Sequence, residues 1–150
     1  MTSPGFPLIH NLSIQRQGVH ELLELIRPEE LHSKNGLNLL VSLQVRVLFH
    51  LRVEDGLLVA ILDAEALSNS AIAELMNQWV YPLRNCADFA QAFFQHWLGF
   101  DEPMGDLPGD WKSMKGLLTL RMEMSQRLLY PAYKVLHKER RRKSRAAVLR

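Results

Sequence analysis

The chain has 150 residues, 47% hydrophobic and 23% charged, with a net charge of +2. That balance fits one globular domain with a core of its own and excludes wholesale disorder. A lone cysteine, Cys86, excludes an internal disulfide and any cysteine-only metal site, and no stretch reaches the about 18 uninterrupted apolar residues of a membrane span.

The charge is uneven. Residues 134–150 carry a net +7 and the other 133 a net −5, so any argument for a polyanion partner rests on the C-terminal run alone. The opening MTSPGFPLIHNLS lacks the basic start and apolar core of a signal peptide, which with the single cysteine points to a cytoplasmic setting.

Residues 1–7, rich in Pro, Gly and Ser, read as a flexible lead. A first helix is expected from about Leu8 to Ile26 on the seam Leu12, Val19, Leu22, Leu23 and Ile26, with Gln15 or Arg16 at the intervening seam position. Gly18 costs it about 1 kcal/mol relative to alanine, so burial must hold it. Arg27-Pro28 ends it. A connection follows over residues 28–36, with a helical turn at Glu29–His32 and a turn signal at Asn35-Gly36.

The second helix is built on LNLLVSLQVRVLFHLRVEDGLLVAIL and reaches about Leu67. Its seam, in steps of three and four, runs Leu43, Val47, His50, Glu54, Leu57, Ile61. A histidine and a carboxylate thus lie in the middle of a stripe that faces a core, where polar groups need partners. Three readings of His50–Glu54 stand: a half-exposed helix pair, a buried polar network, or a metal site. Ser68-Asn69-Ser70 then supplies a turn and N-cap candidates.

The third helix follows Ile72, Leu75, Met76, Trp79, Leu83, Cys86, Ala90, Phe93 and Trp97, with Pro82 expected to kink or split it. Trp79, Phe89, Phe93, Phe94 and Trp97 are expected in the core, although Phe93-Phe94 with Trp97-Leu98 covers more than one face. Cys86 reads as a buried small hydrophobe. Residues 99–110 form the clearest loop, with Asp110 as the N-cap of a fourth helix along Met114, Leu118, Arg121, Ser125, Leu128 and Ala132 to at least Leu136. No segment alternates with period two. The organisation expected is a lead at 1–7, an all-α, up-down-up-down antiparallel four-helix bundle at 8–137, and a basic tail at 138–150.

His50-Leu51-Arg52-Val53-Glu54 followed by Leu57-Leu58, and Leu128-Leu129-Tyr130-Pro131 on the fourth helix, resemble the hemerythrin-like domains. In that family two helices of a four-helix bundle each present a His-x-x-x-Glu pair to a di-iron centre, the acid followed by apolar residues and often by Leu-Tyr-Pro. The resemblance implies that fold, and His50 and Glu54 as iron ligands if metal is held. Where the family would place the second His and Glu, however, this chain has Arg121 and Ser125, and Gln15 or Arg16 stands where the first helix would offer a histidine.

A guanidinium binds a carboxylate through parallel hydrogen bonds. The resemblance implies a bundle in which the middles of the second and fourth helices face each other across the core, so Arg121 is expected to meet Glu54 in a network with Gln15, His50 and Ser125 that replaces the metal. His10, His20, His32, His96 and His137 lack a carboxylate at helical spacing in an apolar seam and are expected at the surface. With no phosphate loop, triad or cysteine pair in sight, an enzyme is not expected. The leading expectation is a regulatory or interaction module without a cofactor, binding another protein. The first alternative is an iron- and oxygen-binding sensor or carrier. The second is a nucleic-acid-associated regulator whose tail (Lys138, Arg140, Arg141, Arg142, Lys143 and Arg145) docks on phosphate or on an acidic partner.

Overall fold

The computed structural model describes residues 6–99 and 103–148; the first five residues of the expected lead, 100–102 of the expected loop and 149–150 of the tail lie outside the described residues. Those described form helices and short connections, with no strand among them.

The first limb is α1, Pro7–Leu25, opened by a proline in its first turn, where the missing N–H costs nothing. Extended backbone at Ile26 and Arg27 ends it ahead of Pro28, which begins a 3₁₀ turn, Pro28–Glu30. The second limb starts with α2, Lys34–Val53, capped by Ser33, whose hydroxyl accepts from Gly36 N at 3.0 Å. Asn35-Gly36 is therefore the first turn of a helix rather than a reverse turn. Glycine is required there because a Cβ would stand 2.0 Å from the Glu30 carbonyl oxygen. A wide π turn, Glu54–Val59, joins α2 to α3, Ala60–Ala66.

In the third limb, Asn69 caps α4, Ser70–Leu75, accepting from Ile72 N at 3.2 Å. A second π turn, Met76–Val80, and a 3₁₀ turn at Pro82, Tyr81–Leu83, separate α4 from α5, Cys86–Leu98, so the proline splits this limb as expected. The fourth limb is α6, Leu107–Met124, a third π turn, Ser125–Leu129, and α7, Tyr130–Val148. Its cap is Asp106, accepting from Gly109 N at 3.1 Å, not Asp110. Asp110 lies inside the helix and accepts instead from Trp97 Nε1 at 3.0 Å. The helix continues unbroken through the basic run.

The three π turns move the core register. A π turn adds one residue to the α-helical repeat, so a position three or four residues on no longer lies on the same face. Leu58 and Leu62 are buried in place of Leu57 (51% exposed) and Ile61, and Leu129 in place of Leu128. On the third limb Val80 is buried where Trp79 was expected. Phe89 is also exposed, while Phe93, Phe94 and Trp97 are in the core. Among the histidines expected at the surface, His96 and His137 are half-buried. His96 packs on the Trp97 ring and His137 on the rings of Phe6 and Tyr133.

These four helical limbs are consistent with a four-helix bundle, α2 packing on α1 and α5, and α5 on α6. The core is two apolar clusters. One holds Val19, Leu23, Val47, Leu51, Cys86, Phe94, Trp111 and Met122; the other holds Leu12, Leu58, Leu62, Met76, Val80, Met124 and Leu129. Three limbs pass from one cluster to the other across polar side chains: Gln15-Arg16 on the first, His50 and Glu54 on the second, and Arg121 and Ser125 on the fourth. These side chains form a polar layer between the two clusters.

A buried carboxylate as the candidate functional site

Glu54 is the centre of that layer and is 0% exposed. A carboxylate so placed must find its hydrogen bonds inside the protein. Arg121, also buried, donates from Nε to Glu54 Oε1 at 3.1 Å, with Nη2 3.0 Å from the same oxygen. The Ser125 hydroxyl donates to Oε1 too, and the Tyr130 hydroxyl donates to Oε2 at 2.8 Å. Arg121 Nη2 also reaches Asp55 Oδ1 at 2.5 Å, so one guanidinium bridges two acids.

Two π turns make this possible. Glu54 begins one and Ser125 the other, and Tyr130, which follows the latter, would be turned off the Ser125 face in a regular α-helix five residues on. With the wider turn both hydroxyls meet Glu54.

On the other side of the carboxylate, His50 Nε2 lies 3.5 Å from Oε2, while its Nδ1 donates to Gln15 Oε1 at 3.1 Å. Burial pushes the imidazole pKa below its ordinary 6.5; Arg121 and Arg16 act in the same direction, against the pull of Glu54 and Asp55. The ring is therefore neutral near pH 7 and Nε2 faces the acid without a full charge. Burial also works against the Arg121 charge, but Glu54 and Asp55 outweigh it and hold the guanidinium above its ordinary pKa. Tyr130 is pushed up by burial and by Glu54, which keeps it a donor. The Cys86 thiol, beside the layer, is pushed up to about 11 by burial and is no thiolate nucleophile at neutral pH.

The charges balance: Glu54 and Asp55 against Arg121 and Arg16, with His50 neutral. Arg16 Nε is buried with no hydrogen-bond partner among the described residues, and the Arg16 charge adds to the lowering of the His50 pKa.

The structure thus brings together Gln15, His50, Glu54, Arg121 and Ser125, and adds Tyr130, Asp55 and Arg16. The half-exposed reading of His50–Glu54 is overturned, since both are buried. Tyr130 carried a signal in its Leu-Tyr-Pro context, but the three-and-four seam passes from Ser125 to Leu128 and skips it. Asp55 stands beside a seam residue and gave no signal of its own. Lys138, Arg140, Arg141, Arg142, Lys143 and Arg145 are exposed along α7, away from the layer, and Arg140 donates to Glu65 at 3.0 Å.

The donor set does not suit iron. No group of three or more His, Cys, Asp and Glu side chains among the described residues is arranged to hold a metal ion. A di-iron centre needs several histidines and bridging carboxylates. Here a guanidinium fills the oxygen-lined face of Glu54 instead. No helix among the described residues is long and apolar enough to cross a membrane. Comparison with family models, with curated proteins and with solved structures returns no match.

Proposed function

We propose that the chain is an antiparallel, hemerythrin-like bundle whose iron site has given way to the Glu54–Arg121 network, and that it works in the cytoplasm as a non-enzymatic regulatory or interaction module. The observation that carries this is the buried Glu54 carboxylate, which has no exposed surface and whose oxygens accept from Arg121, Ser125 and Tyr130. A catalytic acid or a metal ligand needs an open side toward substrate or ion. This one is closed by cationic and hydroxyl donors, which suits a group that fixes the relative position of limbs. Metal analysis and an optical spectrum of protein produced with added iron test the reading. Less than about a tenth of an iron per chain is expected, because two protein ligands do not make a di-iron site. Near-stoichiometric iron with an oxo-bridge band overturns it.

The exposed basic face of α7 supports a second contact, with a polyanion. Full-length chain is then expected to bind DNA or RNA with a steep salt dependence, and a chain ending at Leu136 much more weakly. Equal affinities remove the tail from the account.

A further inference from the structure

α2 is apolar on both sides, and among the described residues only one of them is covered. Leu40, Leu43, Val47 and Leu51 face the core. On the opposite side every fourth residue from Leu37 onward is apolar, and Val45 (65% exposed), Phe49 (58%) and Leu57 stand in solvent. A helix that is hydrophobic all round is normally enclosed on all sides.

The exposed side has the relief of a helix-packing surface. A shallow, open depression of about 640 Å³ follows it, lined by Gln44, Leu48 and Arg52 on one ridge and Val45, Phe49 and Val53 on the next, with Gly56 and Leu57 of the π turn at its end. Ridges of this spacing are the ones that interdigitate when helices cross at about −50°. The depression ends at Gly56, where a Cβ would meet nothing within 4 Å, so its floor is open.

Charge chooses the occupant. Lys34–Val53 contains Lys34, Arg46 and Arg52 and no acid. Arg52 lines the depression and donates to Gln91 of α5 at 3.2 Å. Arg46 leans to the other flank, over Gly18 of α1. The nearest acid along the limb, Asp55, is held by Arg121. Two copies docked through this face would bring four such guanidiniums together with no carboxylate on either α2 to meet them, which disfavours a homodimer here.

We propose that the outer face of α2 is a docking site for a partner protein's amphipathic helix, one that lays an apolar ridge between Leu48 and Phe49 and carries Asp or Glu on its flanks toward Arg46 and Arg52. This names the surface and the partner chemistry for the interaction module argued above, and it rests on that reading.

The test uses the full chain and two labelled synthetic helices of about 20 residues, or ~30 Å. Both have leucine at every fourth position; one is flanked by glutamate and the other by lysine. Fluorescence anisotropy is expected to give the glutamate peptide at least about tenfold tighter binding, a gap that narrows as salt screens the charges. Phe49→Asp, and independently the more exposed Val45→Glu, are expected to weaken that binding by about tenfold or more with circular dichroism and Tm unchanged. Equal binding of the two peptides, no binding of either, or full binding by a folded Phe49→Asp chain overturns the proposal. So does a dimer at micromolar concentration that Phe49→Asp dissolves, which would assign the face to a second copy. Stoichiometric iron in a chain that still prefers the glutamate peptide would overturn the module reading and leave the docking site standing.

Discussion

Replacing Arg121 by alanine removes the cation that touches both Glu54 and Asp55. Glu54 would keep its bonds from Ser125 and Tyr130 but would remain an anion with no accessible surface and no charged partner in contact. Breaking a buried ion pair from one side costs about 3–5 kcal/mol, and the truncated side chain leaves a void as well. Asp55, half-buried, is rehydrated and adds little. Against a typical total stability of about 5–15 kcal/mol, the variant folds but marginally. In urea, with m of about 2 kcal/mol/M, the midpoint is expected to fall by about 2 M at unchanged m. The paired change Arg121→Met with Glu54→Gln removes both charges while keeping volume and an acceptor for Ser125, and is expected to cost about 0–2 kcal/mol. Equilibrium unfolding followed by far-UV circular dichroism reads all three chains. A loss below about 1 kcal/mol for Arg121→Ala, or a double variant no more stable than the single, would refute the claim that Glu54 depends on this cation.

Tyr130→Phe deletes the donor on Glu54 Oε2 and is expected to cost about 1–3 kcal/mol in the same urea assay. Because the folded state holds His50 below its ordinary pKa, its contribution is complete above about pH 6.5 and is lost as pH falls through that value toward the folded pKa, where the unfolded chain binds the extra proton. The unfolding free energy from urea titration is therefore expected to drop between pH 7.5 and 5.5, by up to about 1.4 kcal/mol per pH unit below 6.5, and His50→Gln is expected to flatten that dependence. Gly36→Ala is expected to destabilise by about 1–3 kcal/mol because its Cβ meets the Glu30 backbone, whereas Gly116→Ala, in open space within α6, is expected to raise stability by about 0.5–1 kcal/mol; their thermal midpoints should move in opposite directions.

Four helical limbs and the split at Pro82 were legible from apolar spacing and proline chemistry; polar residues at seam positions marked Glu54, Arg121 and Ser125, and their pairing followed from the bundle that the hemerythrin-like resemblance implies. The π turns were not. A fixed period of 3.6 carries the seam to Leu57 and Leu128, and only three-dimensional packing decides that an extra residue is accommodated. The places where it is accommodated at this layer, beginning at Glu54 and at Ser125, are those where side-chain bonds to the carboxylate compensate for an irregular backbone. The same shift explains why Tyr130 was passed over and why Trp79 lies outside the core. At the start of α6 the cap was expected at Asp110 and lies at Asp106; Pro108, suited to a helix's first turn, is the signal that the expectation passed over.

The proposed function requires that a guanidinium and a hydroxyl, those of Arg121 and Ser125, stand where the hemerythrin-like domains that the sequence resembles would carry metal ligands. Titration with Co(II), followed by visible absorption, tests it on the native chain and on Arg121→His/Ser125→Glu, which places a His-x-x-x-Glu pair opposite His50 and Glu54. The native chain is expected to show no ligand-field band and the double variant one Co(II) bound per chain at about a 1:1 end point. A native chain that binds Co(II) as well as the variant, or a folded variant that binds none, would contradict it.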